Sequence, residues 1–425
     1  MDSSNPISVN RFVLDNGLTV IHSYDGSTAM AAVNVLYNVG SRDESRKLTG
    51  MAHLFEHLMF GGSANIPSFD GELERAGGKS NAWTSDDFTN FYDILPAQNI
   101  ATAFHLESDR MLALDFSEAS LEVQRGVVIE EFKQTCLDRP YGDMMHHLRR
   151  LVYAADHPYS WPVIGLEPDH IARVDMDDVR RWFYSHYAPD NAILSVTGRV
   201  TLDEVRELAE KWFSGIPRRN IKARKLPSPG FPESDVSETV YGNAPLPDIV
   251  VAYPMDCYGT PGYFAADTVT DLLAAGRSSR FARELLHGAG SGLFAAADAS
   301  ITGSEHEGML LLHARVSRDS ESAIEEAITR LKASAARLAE PGAVSERELE
   351  RTLNNFEASF RFSNVGFLNR AINLAMAEYH HEDINRLVTD RRLLTPGDIS
   401  ATAHRLFSET PSATIIYRPN TQESR

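Results

Sequence analysis

The chain has 425 residues, 43% of them hydrophobic and 24% charged, which fits a globular protein of about two ordinary domains. Its 41 basic residues against 59 acidic ones give a net charge of -18, which argues against nucleic acid or an anionic membrane surface as a partner. Only Cys136 and Cys257 occur, far apart, so neither a disulfide framework nor a cysteine metal site is indicated.

The opening MDSSNPISVN lacks the basic start and apolar centre of a secretory signal and the arginines of a mitochondrial presequence. No run approaches the roughly 18 apolar residues that span a bilayer, so a soluble, cytoplasmic protein is expected. The first elements are a hairpin, Arg11 to Leu14 and Leu18 to His22 about the turn Asp15-Asn16-Gly17, and a strand from Ala31 to Tyr37.

A helix follows around His53-Leu54-Phe55-Glu56-His57, flanked by apolar residues and ended by Gly61-Gly62. Two histidines four apart on a helix share a face, so both can offer neutral nitrogens to one cation. Glu56 lies beside them, where a carboxylate can serve as general base to a zinc-activated water. A helix whose histidines are satisfied in the core is the bland alternative.

Phe69 to Ala76 reads as a helix, Asn81 to Thr84 and Thr89 to Leu95 as strands, and Asn99 to Leu114 and Glu118 to Thr135 as helices. A catalytic zinc usually has three protein ligands, and Leu121 to Gln134 offers Glu130 and Glu131. Successive helical residues point about 100° apart, so one of the two belongs to the site, and periodicity alone does not choose. Helices predominate up to a strand at Ala192 to Thr197.

A proline-dense, basic stretch near Gly215 to Asp235 contains Arg218, Arg219, Lys222, Arg224 and Lys225 and reads as a solvated connector. The division is then residues 1–214, a linker 215–235, and residues 236–425. Beyond the linker the pattern repeats: strands at Ser237 to Tyr241 and Ile249 to Tyr253, helices, a strand pair around Leu293 to Arg315, and long helices to Phe407. Both halves also end alike, on a helix, a proline and a strand, the last from Ala413 to Tyr417, so a duplication is suggested. His146-His147 and His380-His381 point apart on helices and read as surface residues, while Met144-Met145 and Phe356, Phe360 and Phe362 read as core or interface packing.

With these residues in view, the chain resembles the inverted-motif zinc peptidases of the pitrilysin, insulin-degrading enzyme and mitochondrial processing peptidase group. HLFEHLMFGG matches the family's zinc helix, Arg125 to Glu131 matches its R-G-V-V-x-E-E pattern, and Gly77 to Thr84 followed by Asp87, Thr89 and Tyr92 matches the stretch bordering its active site. The resemblance implies an α+β fold of two similar roll domains, each a mainly antiparallel sheet packed against helices. It also implies one Zn2+ per chain on His53, His57 and Glu131, with Glu130 as the alternative to Glu131, and Glu56 as base. Asn81 and Ala82 would pair with the backbone of a peptide substrate.

Two departures stand out. Gln124 replaces a glutamate that many active members place seven residues before the third ligand to support the site by hydrogen bonding. Ser278-Ser279-Arg280-Phe281 and Glu284-Leu285 begin a C-terminal pattern well, but Leu286 to Ala295 lacks the arginine and tyrosine that complete it. The resemblance therefore implies a zinc endopeptidase that forms half of a two-subunit chamber. Its partner would be a second copy or a paralogue supplying the arginine-tyrosine pair. A non-catalytic or weakly active assembly subunit is the other expectation.

Overall fold

The computed structural model of the protein describes residues 6–222, 224–288, 292–303 and 305–420. They form two compact units that interleave along the chain. The first takes the described residues up to Glu130, then Pro162–Leu226 and Ser359–Leu387; the second takes Glu131–Trp161, Pro227–Ala358 and the chain from Val388 on.

The elements of the first half are strands β1 (Asn10–Val13), β2 (Thr19–Tyr24) and β3 (Met30–Tyr37), helices α1 (Met51–Leu58) and α2 (Phe69–Arg75), and strands β4 (Lys79–Thr84) and β5 (Thr89–Pro96). Helices α3 (Ile100–Leu112), α4 (Glu118–Phe132), α5 (Met144–Val152), α6 (Pro168–Ala172) and α7 (Met176–His186), strand β6 (Ala192–Gly198) and helix α8 (Leu202–Phe213) follow. After the connector come β7 (Val236–Gly242), β8 (Asp248–Met255), α9 (Pro261–Ala274), β9 (Phe294–Thr302) and β10 (Gly308–Val316). The chain then runs through α10 (Glu321–Ala336), α11 (Glu346–Ser363), α12 (Phe367–Tyr379), α13 (Leu387–Arg391) and α14 (Pro396–His404) to β11 (Ala413–Pro419). The expected helix from Glu118 to Thr135 is α only to Phe132 and continues as a π-turn over Lys133–Asp138.

In the first unit six strands order as β1-β2-β6-β3-β5-β4, all antiparallel except the parallel pair β2 and β6. β3 is central, so its near-continuous apolar run is buried from Ala31 to Tyr37. Its one polar residue, Asn34, exchanges two side-chain hydrogen bonds with buried Asn90 of β5, at 2.9 and 2.8 Å. In the second unit the order is β7-β11-β8-β10-β9, with β7 and β11 the parallel pair. Strand for strand this repeats β2-β6-β3-β5-β4, which supports the duplication read from the sequence. β4 is an edge strand of its sheet, as β9 is of the other.

The connector is less solvated than its composition suggests. Arg219 donates to the carbonyls of Phe183 and Leu112, both at 3.3 Å, and its guanidinium lies 4.6 Å from the Phe183 ring and 4.7 Å from Tyr184. The Leu112 carbonyl is one that the end of α3 leaves open, while that of Phe183 also accepts the Tyr187 N–H at 2.9 Å. Phe362, expected to pack in a core or an interface, is 77% exposed and so lies outside the core of this chain.

In the second unit α9 carries Asp267 and Asp271 one turn apart, both facing buried Arg391 at 2.5 and 3.6 Å. The guanidinium also lies 4.0 Å from the Phe356 ring. Burial and the neighbouring Asp267 charge push the Asp271 carboxyl up to about 6, Arg391 opposing them. A carboxyl whose pKa is raised on folding stabilises the fold below its unfolded value and loses that contribution as pH rises through the folded one. Asp271→Asn should therefore gain stability relative to the unmodified chain as pH rises from about 4 to about 6.5. Denaturant midpoints measured across that range check this; a constant difference between the two proteins would contradict it.

Candidate metal centre

Helix α1 buries Met51, Leu54, Phe55 and Leu58, a stripe with helical spacing. That burial leaves His53, Glu56 and His57 together on the opposite, half-buried face. The two Nε2 atoms stand 3.3 Å apart, with ring centroids 4.9 Å apart and planes inclined at 79°. A tetrahedral zinc with bonds of ~2.0–2.1 Å to nitrogen has ligand-to-ligand edges of about 3.4 Å, so the imidazole pair fits that ion.

Helix α4 supplies the third group. Leu121, Val128 and Phe132 are buried, which turns Glu131 to the flank of the buried stripe and Glu130 to solvent. One ligand atom from each of His53, His57 and Glu131 lies within 4.8 Å of the others, the one such group of three among the described residues. Two imidazoles and a carboxylate are a donor set whose chemistry suits a zinc ion. Gln124 is half-buried on the same helix, seven residues before Glu131. His147 instead bonds Glu238 at 2.8 Å, and His380 is buried enough to be held down to about 4.

Several contacts hold these helices, and sequence reasoning missed their roles. Thr84, at the end of β4, donates to Glu56 Oε2 at 2.6 Å and so orients the carboxylate. Glu44 is 1% exposed, and its carboxylate accepts the Gly50 and Ala52 N–H groups at 3.0 and 2.8 Å, capping α1 immediately before His53. Arg224 of the connector donates to the Glu44 carbonyl at 3.0 Å. The loop before Glu44 is tied to the β4–β5 turn by Arg42, which donates from its backbone to Asp86 O at 2.8 Å and from its side chain to Asp87 at 3.0 Å. Asn81 is exposed and Ala82 half-buried on edge strand β4, where the Ala82 N–H donates to Asn81 Oδ1 at 2.8 Å. Of the Leu286 to Ala295 stretch, Ala289 to Ser291 lie outside the described residues; Leu293 and Phe294 are buried, and Arg280 is engaged by Glu348 at 3.0 Å.

Comparison with known proteins agrees with this architecture. Residues 19–148 match the family model described as insulinase (peptidase family M16), and residues 173–356 match the one described as the peptidase M16 inactive domain. The zinc protease PqqE of Helicobacter pylori is 27% identical over 417 residues, covering 96% of this chain and 92% of that protein. The beta subunit of the mitochondrial-processing peptidase of Saccharomyces cerevisiae is 27% identical over 262 residues, 60% of this chain and 55% of that one. The crystal structure of a protease from Helicobacter pylori superposes with a TM-score of 0.86 at 27% identity, over 98% of this chain and 100% of that one. A peptidase M16 inactive domain structure from Pseudomonas fluorescens reaches the same score, 0.86, at 14% identity and thus shares the fold. Both halves of the chain are thus accounted for by one lineage, and the protein belongs to peptidase family M16, the insulinase family.

Proposed function

We propose that this chain is a zinc-dependent endopeptidase acting on oligopeptides or extended protein segments, and that it works as half of a two-subunit chamber. The observation that carries the reading is the convergence of His53, His57 and Glu131 beside a Glu56 held by Thr84. Zinc, when bound, would acidify a water and polarise the scissile carbonyl. Glu56 takes the proton released by that water and then hands it to the leaving amine, a carboxylate acting first as base and then as acid. The open edge of β4 receives the substrate backbone by strand addition, with Asn81 and Ala82 as the pairing positions. Backbone pairing is indifferent to most side chains, so specificity is broad.

The Leu286 to Ala295 stretch supports a paralogous partner that brings the arginine-tyrosine pair. Donors aimed at a developing oxyanion are each worth ~100- to 1000-fold in rate, so their loss must be made good elsewhere. Turnover of an unstructured peptide by the isolated chain should rise by at least about 100-fold when such a paralogue is added. Full turnover by the chain alone, unchanged by the paralogue, would contradict the unlike pair and leave a homodimer. The same stretch and Gln124 favour a second reading, an assembly subunit with little activity of its own. That reading predicts zinc binding with no turnover in either mixture.

A further inference from the structure

The helices carrying the metal-binding groups meet a common piece of chain, the segment from Ile164 to Val174 that contains α6. At the start of α1, buried Thr49 hydroxyl oxygen lies 2.8 Å from His170 Nδ1, and its N–H points at the same nitrogen from 3.4 Å. Nδ1 must therefore accept, which requires the neutral ring with its proton on Nε2. Burial favours that form by lowering the affinity of His170 for a second proton. The Thr49 oxygen accepts the Leu166 N–H at 2.8 Å. Two glycines permit this approach: a Cβ on Gly50, whose φ is +84°, would stand 2.8 Å from Ile171 Cδ1, and one on Gly165, at +96°, would stand 3.0 Å from Thr49 O. At the far end of the segment, Arg125 of α4 donates from one nitrogen to the carbonyls of Ala172 and Val174, both at 3.1 Å.

We propose that residues 164–174 are a brace that sets the spacing of α1 and α4, and hence of the two imidazoles from Glu131, with His170 and Arg125 as positioning residues at its two ends. The inference rests on the metal-centre reading above. Arg125 sits six residues before Glu131 on one rigid helix, so a tilt of α4 moves the carboxylate directly. Thr49 and His170 act one turn from His53, so slack there moves the imidazoles.

The test is zinc affinity of the full chain, measured by chelator competition, with thermal unfolding of the metal-free form measured alongside. Arg125→Gln and His170→Phe should each weaken zinc binding by ~10- to 100-fold, the range typical of groups that orient metal ligands. Arg125→Lys, which keeps a donor for one carbonyl, should fall between. Glu122→Gln removes the acidic neighbour of Arg125 but not its carbonyl contacts, and should bind zinc like the unmodified chain. Cobalt-substituted Arg125→Gln should also show an altered visible absorption band, a signature that simple destabilisation does not produce. Unchanged zinc affinity in folded Arg125→Gln, or in Arg125→Lys should the glutamine variant not fold, would overturn the brace while leaving the metal centre standing. Absence of zinc binding in the unmodified chain would instead overturn the metal-centre reading itself.

Discussion

Glu56→Gln should lower peptide turnover by ~100- to 10,000-fold, the usual contribution of a general base, while zinc stays bound. The amide has nearly the shape of the carboxylate and can still accept the Thr84 hydroxyl that now lies 2.6 Å from Oε2, so the local structure should persist. Only the capacity to take a proton is lost. Thr84→Val should act in the same direction but more weakly, because it frees the carboxylate without removing it. Rates on an unstructured peptide, with zinc content determined on the same samples, check both variants. A Glu56→Gln protein retaining more than about a tenth of the native rate would remove Glu56 from the role assigned here.

The second large effect is on the metal. Groups that merely orient ligands are worth about 10- to 100-fold in affinity, so removing a ligand should exceed that range. Glu131→Gln, His53→Ala and His57→Ala should each weaken zinc binding by more than about 100-fold. Glu130→Gln should leave it unchanged, since Glu130 is exposed on α4 while Glu131 lies within 4.8 Å of the histidine nitrogens. Equal losses in the two glutamate variants would contradict the assignment of Glu131.

Much of this was legible in the sequence because it depends on short-range periodicity. The α1 stripe of Met51, Leu54, Phe55 and Leu58 can be read at helical spacing, and it dictates that His53, Glu56 and His57 share the other face. Asp15-Asn16-Gly17 marks the β1–β2 hairpin for an equally local reason, the left-handed conformation that Gly17 adopts at φ +94°. The choice between Glu130 and Glu131 was also available in principle, from the helical phase of Leu121, Val128 and Phe132, but a polar-rich helix presents that phase faintly.

What could not be read depends on contacts between distant residues of no fixed spacing. Glu44 caps a helix that begins beyond an intervening turn, Thr84 reaches Glu56 of α1 from the edge strand β4, and Arg125 reaches carbonyls 47 and 49 residues away. Arg219 reads as one more cation in a basic connector until its carbonyl partners are known. The interleaving of the two units is of the same kind, because residues 131–161 group with the second unit and 359–387 with the first through contacts that short-range periodicity does not carry.

On the function proposed here, one zinc held by His53, His57 and Glu131 makes this chain a peptidase. The most direct test of that function is the hydrolysis rate of an unstructured fluorogenic peptide as chelator-stripped protein is titrated with zinc, alone and with a paralogue carrying the arginine-tyrosine pair. The rate should be negligible at the start, rise with added zinc and level off at one ion per chain. Undiminished turnover in the stripped protein, or no turnover in either mixture at full zinc occupancy, would contradict it.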